Sequence, residues 1–170
     1  CIAIPQNEKW GRHYEGYSEH VDIVSKMGEA SIIGYQTSEL GSDNHSIVAC
    51  AKHFIGDGAT VWGTGMGNKS NKIDRGNAPI SDSLIRAKYL PPYQKAIDAG
   101  VGTVMASFNS INDLKCHANG YLFNDLLKGE MGFDGFVISD WQGIDEIPGN
   151  YKSDIITSVN AGLDMIMVPG

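Results

Sequence analysis

Short apolar runs alternate with amphipathic stretches along the whole chain. The runs are rich in small and β-branched residues, as in Phe136-Val137-Ile138, which is typical of strands buried on both faces. The predicted strands cover residues 1–4, 46–54, 101–108, 133–140 and 163–169. Between them, apolar residues at helical spacing predict helices over residues 21–35, 81–100, 119–132 and 153–162. The pattern therefore predicts five strands separated by four helical connections.

Local signals mark where these helices begin and end. Ser81 is a suitable N-cap for the second predicted helix, and Gly100 is a suitable C-cap. Inside that helix, Pro91 and Pro92 predict a break or a kink, because proline lacks the N–H that an interior position needs. Ser153 is predicted to cap the last helix.

The alternation of strands and helices indicates parallel βα units and hence an α/β protein. Two architectures fit this pattern, an open doubly wound sheet and a (β/α)8 barrel of the TIM type. A barrel needs about 250 residues, so on that interpretation the 170 residues form a partial barrel of about five βα units. Neither GxGxxG nor GxxxxGK[ST] follows a strand, so the usual nucleotide-binding signatures are missing. A loop of roughly 25 residues follows the second strand, far above the usual length of about 4–6, which indicates a functional or mobile segment.

Composition excludes several classes of protein. The formal net charge of −7 argues against a nucleic-acid-binding surface, which needs clustered Lys and Arg. No apolar stretch reaches about 18 residues, so no membrane span is expected. The three cysteines form no CxxC pair, and we expect Cys50 and Cys116 to be buried free thiols. The chain opens without Met or a signal peptide and closes on an apolar run, so we expect both ends to continue in a longer polypeptide.

Polar and aromatic side chains follow the predicted strands at the ends where ligands bind in both architectures. They are Trp10, Arg12, Tyr14 and Glu15 after the first strand, Lys52 and His53 in the second, Phe108 and Asn109 at the third, and Asp140 and Trp141 at the fourth. Cations, amides and indole rings in one place suit a neutral polyhydroxylated ligand, because hydroxyl groups take several hydrogen bonds and indole faces stack on a pyranose. A phosphorylated ligand would instead need a Gly-rich nest at a helix N-terminus.

Most of these side chains also have a purely structural interpretation. Arg12 could pair with Glu15 or Glu19 and hold its loop, and Lys52 with His53 could form a surface pair. Other candidates are interpreted as structural, namely Trp10 and Trp62 as core residues and Asp57, Asp145 and Asp164 as capping or turn residues.

The sequence GFVISDWQGID, residues 135–145, sets a carboxylate at the end of an apolar strand. For Asp140 the structural alternative is a helix N-cap, a position that Asp fills well, although Ser139 or Asp145 could serve there. A carboxylate at the exit of a barrel strand is typical of a catalytic group. Asp140 is therefore the candidate catalytic residue.

Five stretches that run in order over nearly the whole chain carry a family resemblance. They are CIAI…WGRHYEGYSE, ACAKHFIGDG, VMASFNSIND, CHANGYLFNDLLKGEMGFDGFVISDW and AGLDMIMVPG. Together they resemble the N-terminal barrel domain of glycoside hydrolase family 3, in the branch of the β-glucosidases and β-glucan exohydrolases. The resemblance implies a TIM-barrel-like α/β fold of which residues 1–170 are a fragment, with the acid/base residue on a second domain outside this chain. It also favours a secreted or periplasmic enzyme.

The resemblance further implies a retaining β-glycosidase that releases glucose from the non-reducing end of β-glucosides or β-glucans, without a cofactor or a metal. The Asp of SDW, here Asp140, corresponds to the family nucleophile. The substrate-binding residues that it implies are Arg12, Lys52, His53, Met105, Trp141 and Phe108. The implied partners are the sugar substrate and the remainder of the same polypeptide, with no nucleic acid and no membrane.

Departures from the family pattern leave alternatives open. Phe108 stands where plant exohydrolases carry Tyr, and residues 62–72 do not align cleanly, which leaves aglycone recognition undefined. A β-N-acetylglucosaminidase or a β-xylosidase of the same family is the near alternative, although GDGATVWGTGMGN has neither the Pro nor the His of the N-acetylglucosaminidase loop. More remote alternatives are an aldolase that uses Lys52 as a Schiff base and a non-catalytic sugar-binding fragment. Because part of a barrel exposes strand edges, we expect the isolated chain to be unstable or inactive.

Overall fold

The chain folds as an α/β protein, and the computed structural model describes residues 1–37, 40–66 and 72–168. Its strands are β1 Cys50–Phe54, β2 Asn77–Ala78, β3 Thr103–Ala106, β4 Ser110–Ile111, β5 Leu114–Lys115 and β6 Phe136–Ile138. Its α-helices are α1 Val21–Gln36, α2 Asp82–Leu84, α3 Leu90–Asp98 and α4 Tyr151–Asn160. Two segments wind as π helices, Ile85–Tyr89 between α2 and α3, and Tyr121–Glu130. Short 3₁₀ turns cover His13–Glu15, Asp57–Ala59, Cys116–Ala118 and Gly143–Glu146.

The central sheet is parallel, with β3 between β1 and β6. Val104 at its centre is in register with Ala51 on one side and Val137 on the other. All three side chains are buried, with helices packed outside them, as the continuous apolar runs predict for a parallel sheet.

The first and last predicted strands extend this sheet without forming regular strands. At one edge the Ile2 N–H donates to the Lys52 carbonyl (2.8 Å). At the other edge Met165 forms a parallel bridge with Ile138. The prediction of regular strands was therefore wrong for residues 1–4 and 163–168, which pair with the sheet through individual backbone contacts but do not form regular strands. Residue 169, the last of the predicted strand, lies outside the described residues.

The order of these elements distinguishes the two architectures that the sequence left open. From edge to edge the sheet runs residues 1–4, β1, β3, β6 and Met165, which is the order along the chain. A doubly wound sheet reverses its order at a switch point, where the chain crosses to the other side of the first strand. The wall of a (β/α)8 barrel has no reversal. The described part of the chain thus has the strand order of a barrel wall.

The helix signals are largely confirmed. The Ser81 hydroxyl accepts a hydrogen bond from the Leu84 N–H (3.2 Å) and caps α2. Gly100 has φ +76°, a left-handed conformation that glycine adopts without strain, and closes the helix that ends in α3. The chain stays helical through Pro91 and Pro92, so no break occurs there; the winding changes from π to α at Leu90, directly before them, and both fall in the first turn of α3, where a missing N–H is tolerated.

The last helix begins earlier than predicted, at Tyr151, and its N-cap is Asn150 rather than Ser153. The Asn150 side chain accepts from the Ser153 N–H (3.1 Å), and the Ser153 hydroxyl accepts from the Asn150 N–H (2.9 Å). Ser153 therefore takes part in the cap, but as the third residue of a reciprocal capping box.

A second, small sheet was not predicted. In it β4 pairs parallel with β2 and antiparallel with β5. The turn between β4 and β5 consists of Asn112 (φ 49°) and Asp113 (φ 70°), which both have the left-handed geometry of a tight hairpin. This sheet organises the long loop after β1, which is therefore not without regular structure.

The two cysteines predicted to be buried have different environments. Cys116 is fully buried, its thiol donates to the Ile55 carbonyl (3.6 Å), and burial raises its pKa to about 12. Cys50 is exposed, so the expectation of burial was wrong for it. It is the first residue of β1, where the side chain lies on the opposite face from the buried Ala51.

Gly135 allows β6 to approach the neighbouring strand, and replacing it by Ala is expected to destabilise the fold. A Cβ there would lie 2.2 Å from the Gly102 carbonyl oxygen and 2.7 Å from the Phe133 ring. Overpacking of this kind costs about 1–3 kcal/mol. Urea unfolding of the complete enzyme should show this loss for Gly135→Ala. Gly34→Ala is the matched control, because Gly34 is exposed on α1 with nothing within 4 Å of its Cβ position, and equal midpoints for the two variants would contradict the prediction.

Candidate active site

The carboxyl ends of the parallel strands bring a small polar cluster together. His53 belongs to β1, Asp140 follows β6, and Arg12 immediately precedes the turn His13–Glu15. These are three of the residues that the sequence pattern places at strand exits. Their side chains meet although Arg12 and Asp140 are 128 positions apart along the chain.

His53 is at the centre of this cluster and is 1% exposed. Its Nδ1 lies 2.9 Å from Asp57 Oδ2, and its Nε2 lies 2.8 Å from Arg12 Nη2. A guanidinium can only donate, so Nε2 must accept and the ring proton must be on Nδ1, where it is donated to Asp57. His53 is therefore held as the neutral Nδ1–H tautomer.

Arg12 is held by Glu15 as well as by His53. Its Nε and Nη2 donate to the two carboxylate oxygens of Glu15 at 2.7 and 3.0 Å. Burial is the largest single effect and opposes the charge of Arg12, but the hydrogen bonds to Glu15 together with the charges of Glu15, Asp57 and Asp140 outweigh it and raise the guanidinium pKa above its ordinary value. The predicted pairing of Arg12 with Glu15 is thus confirmed. The same side chain also contacts His53 and so belongs to the polar cluster.

The two oxygens of the Asp140 carboxylate have different surroundings. Oδ1 accepts a hydrogen bond from the Trp141 N–H (2.7 Å). Oδ2 is buried, and no described residue donates a hydrogen bond to it. His53 Nε2 lies 3.5 Å from Oδ2, but it carries no proton in the tautomer that Arg12 imposes. Asp140 is only 9% exposed, and its Oδ2 therefore lies beside His53 with a lone pair that no described residue occupies.

A capping role for Asp140 finds no support in these contacts. The turn that follows, Gly143–Glu146, begins after Gln142 and receives no side-chain cap. Within the described part of the chain, the Asp140 carboxylate accepts a hydrogen bond only from the N–H of its own neighbour, Trp141.

The other predicted site residues lie at different distances from the cluster. Lys52 is half-buried and lines a cavity of about 260 Å³ together with Cys1 and Tyr17. Among the described residues no ion pair joins Lys52 to Asp140, although its charge helps to lower the pKa of Glu15, after the larger effect of the Arg12 hydrogen bond. Met105 is in register with Lys52 on β3. Trp141 is 55% exposed beside Asp140, so its indole face is accessible to a ligand.

Phe108 lies at the edge of the site, in a charged cluster that the sequence did not suggest. The Arg75 guanidinium stacks 4.0 Å above the Phe108 ring and donates to Glu146 (2.8 Å). Buried Lys115 donates to the other oxygen of Glu146 (2.7 Å) and to the Phe108 carbonyl (2.9 Å). These bonds connect the loop after β1, the hairpin of β4 and β5, and the turn after Asp140.

Two further residues of the site were missed. Asp57 was interpreted as a turn residue, yet it orients His53, and its position four residues after a strand-end His was the available signal. His117 accepts a hydrogen bond from the Asp140 N–H (3.1 Å), and no strand-exit pattern points to it.

An open hollow of about 510 Å³ adjoins the cluster at Arg12. Trp62 lines it together with Lys9, whose ammonium lies 5.2 Å from the indole centroid. Within residues 1–37, 40–66 and 72–168, no group of three or more His, Cys, Asp or Glu side chains could hold a metal ion. In the same residues no helix has the length and apolar character needed to cross a membrane.

The sequence profile described as the glycosyl hydrolase family 3 N terminal domain matches residues 1–170, the whole chain. The chain belongs to glycosyl hydrolase family 3. The predicted TIM-barrel-like fold class is that of this domain, and the solved structures below share it.

Individual members of the family are similar over nearly the full chain. A β-xylosidase of Formosa agariphila is 36% identical over 170 residues, which cover 95% of this chain and 22% of that protein. The crystal structure of an exo-1,3/1,4-β-glucanase from a Pseudoalteromonas species matches with a TM-score of 0.86 and 38% identity, over 98% of this chain and 20% of that one. A β-glucosidase from Listeria innocua in complex with glucose matches with a TM-score of 0.88 and 32% identity, over 98% and 23%. The chain therefore spans about a fifth of the length of these relatives.

Proposed function

We propose that residues 1–170 are part of the catalytic barrel domain of a retaining β-glycosidase, in which Asp140 is the nucleophile. The preferred substrate is a β-glucoside or β-glucan, from which glucose leaves at the non-reducing end. The proposal extends to the whole polypeptide, of which this chain would supply the nucleophile and part of the sugar pocket.

The observation that carries the proposal is the free lone pair of Asp140 Oδ2. A nucleophilic carboxylate needs an oxygen that is not bound to a donor and that faces the place where the anomeric carbon will lie. The neutral tautomer of His53 leaves Oδ2 without a hydrogen-bond donor among the described residues.

In the proposed mechanism, Oδ2 attacks the anomeric carbon and the bond from that carbon to the leaving oxygen breaks. A carboxylic acid outside residues 1–170 gives its proton to the leaving oxygen, and an ester links Asp140 to the sugar. The resulting carboxylate then takes a proton from water, whose oxygen displaces Asp140 at the same carbon. Two displacements return the original anomeric configuration.

The surrounding groups would bind the sugar hydroxyls. Arg12 and Lys52 can donate, and the free face of the Trp141 indole can stack on the ring of the sugar or of the leaving group. The hollow beside Arg12, with Trp62 on its wall, leaves room for the rest of a longer substrate. These assignments, and those of Met105 and Phe108, remain proposals.

The relatives support a sugar substrate and provide one specific alternative. A glucosidase with bound glucose and an exo-1,3/1,4-β-glucanase both favour glucosides. The β-xylosidase is 36% identical to this chain, so a xyloside is the second candidate. Xylose lacks the hydroxymethyl group of glucose, and the two substrates thus differ at one carbon.

A panel of nitrophenyl substrates tests the proposal on the complete enzyme. We expect the highest kcat/KM for the β-glucoside, a lower value for the β-xyloside, and little hydrolysis of the N-acetyl-β-glucosaminide. Proton NMR of the first product should show the β-anomer, as retention requires. Release of the α-anomer first would exclude a covalent Asp140 intermediate, and a higher kcat/KM for the xyloside would replace glucoside by xyloside in the proposal.

A further inference from the structure

His117 is a buried histidine that forms no part of the predicted sugar pocket. It lies in the turn Cys116–Ala118, directly after the hairpin of β4 and β5, and has no exposed surface. Its position is fixed from both sides of the chain. The Cys116 N–H donates to the Asn109 carbonyl (3.0 Å), and the Asn119 N–H donates to the Cys116 carbonyl (3.0 Å).

The ring of His117 touches the segment that carries Asp140. The Asp140 N–H donates to Nε2 at 3.1 Å, so Nε2 has the lone pair and the ring proton is on Nδ1. Burial, followed by the charge of Lys115 and by His53, lowers the His117 pKa to about 3, so the ring is neutral near pH 7. The lone pair on Nε2 is thus permanently available to the Asp140 N–H.

Gly143 is needed for this contact. A Cβ at Gly143 would lie 2.3 Å from His117 Nε2 and 2.5 Å from Cε1, well inside any possible contact distance. The turn after Asp140 therefore packs directly onto the ring. The Gly143 N–H also donates to the Asp140 carbonyl (3.0 Å), so both backbone polar groups of Asp140 are held by partners on the same side.

We propose that His117 is a positioning residue that fixes the backbone of Asp140 and so aims its free Oδ2 at the anomeric carbon. The inference rests on the proposed function, since it concerns the reach of the Asp140 carboxylate. The preceding residue is already tied to the neighbouring segment, because the Ser139 N–H donates to Met165 and its hydroxyl accepts from Met167. The N–H of Asp140 has His117 as its acceptor, and this bond sets the orientation in which the strand ends.

Two substitutions separate the acceptor from the bulk of the ring. His117→Leu fills much of the same space without an acceptor, whereas the side-chain carbonyl of His117→Gln can reach the position of Nε2. Misplacement of a reacting group by about 1 Å can cost about 10²-fold in rate. In the complete enzyme we expect His117→Leu to lower kcat by about 10- to 100-fold with KM changed less than about threefold, and His117→Gln to recover kcat to within about fivefold of wild type.

A matched control removes an equally buried acceptor at the other end of the strands. Gln36 is 2% exposed, and its Oε1 accepts the backbone N–H groups of Ala49 and Gly102, both at 3.0 Å. Gln36→Leu should lower the melting temperature at least as much as His117→Leu does, while kcat per active site stays at the wild-type value. If His117→Leu does not fold, Gly143→Ala tests the same contact. This variant keeps His117, but the added methyl group would displace the histidine ring from its position beside Asp140.

The measurement is the rate of inactivation by a 2-deoxy-2-fluoro-β-glucosyl fluoride, followed by peptide mapping. A label on Asp140 that forms at least about tenfold more slowly in His117→Leu, and not in Gln36→Leu, supports the inference. If the label on Asp140 forms at the wild-type rate in His117→Leu, the role of His117 is overturned and the proposed function stays intact. The same result in Gly143→Ala has the same meaning if His117→Leu does not fold. A label on another peptide overturns the proposed function, and the role of His117 with it.

Discussion

Replacing Asp140 by Ala in the complete enzyme is expected to lower kcat for an aryl β-glucoside by roughly 10⁴-fold or more. The carboxylate would supply the only new bond to the anomeric carbon in the first chemical step, and no described residue donates a hydrogen bond that would make Oδ2 a structural acceptor. The fold should be retained, because the Oδ1 contact is with the N–H of the next residue and holds no distant segment. Steady-state kinetics and thermal melts of the same preparations test both statements.

Azide makes the assignment specific to the nucleophile. In Asp140→Ala the small anion can enter the space left by the carboxylate and attack the anomeric carbon from that face. The product would be the α-glucosyl azide, because only one displacement has occurred. Asp145→Ala is the control, since Asp145 is an exposed carboxylate on the same turn. Wild-type turnover in Asp140→Ala, or a rescued product with the β configuration, would contradict the assignment.

The sequence pattern predicts the central sheet because its strands are buried on both faces. Val104 and Val137 have apolar neighbours on every side, and continuous apolar runs are what such positions require. The order of the strands, by contrast, depends on which edges pair, and periodicity contains no information on pairing. Contacts such as that of Ile2 with the Lys52 carbonyl therefore appear only in the structure.

The small sheet of β2, β4 and β5 was missed for a different reason. Its strands are only two residues long, too short for any alternation to be visible. The tight turn at Asn112 and Asp113 was a usable signal, because both residue types tolerate positive φ and mark two-residue hairpins.

The candidate site was predictable as far as it depends on strand ends. Arg12, His53 and Asp140 each follow or end an apolar run, and parallel strands bring such ends together. Asp57 and His117 act through the backbone or through another side chain, and their partners are set by tertiary packing. A lone Asp in GDG has an adequate explanation as a turn residue, and only its spacing of four residues from the strand-end His53 pointed to another role.

Replacing Asp57 by Asn is expected to inactivate the enzyme by reversing the tautomer of His53. Asp57 Oδ1 accepts the Gly58 N–H (3.1 Å), and Oδ2 accepts from His53 Nδ1 (2.9 Å). The Gly58 N–H will select the carbonyl oxygen of the amide, so the NH₂ group of the Asn must face the ring. Nδ1 then has to accept, and the ring proton moves to Nε2.

A proton on Nε2 has two consequences for the cluster. The ring can no longer accept from Arg12 Nη2, so two donors would face each other across 2.8 Å. In the structure, Asp140 Oδ2 lies 3.5 Å from His53 Nε2. In the variant, a hydrogen bond from the new Nε2–H to that oxygen would occupy the lone pair that attacks the sugar. The corresponding tautomer reversal in serine proteases lowers kcat by about 10⁴-fold. Because His53 is not itself the proposed proton carrier, we expect a smaller loss here, about 10²- to 10³-fold in kcat.

The comparison with Asp57→Ala makes this expectation specific to the tautomer. Alanine removes the acceptor but supplies no donor, so His53 can keep its proton on Nδ1 and continue to accept from Arg12. The nearly isosteric Asn variant should therefore be less active per folded molecule than the truncated Ala variant, which is the reverse of the order expected from packing alone. Asp145→Asn, the same exchange at an exposed position, should leave kcat unchanged. Two results would contradict this expectation: wild-type kcat in Asp57→Asn, or an activity of Asp57→Asn that exceeds that of Asp57→Ala in proportion to its stability. Either result would mean that Asp57 acts only through packing and that the tautomer of His53 does not control the free oxygen of Asp140.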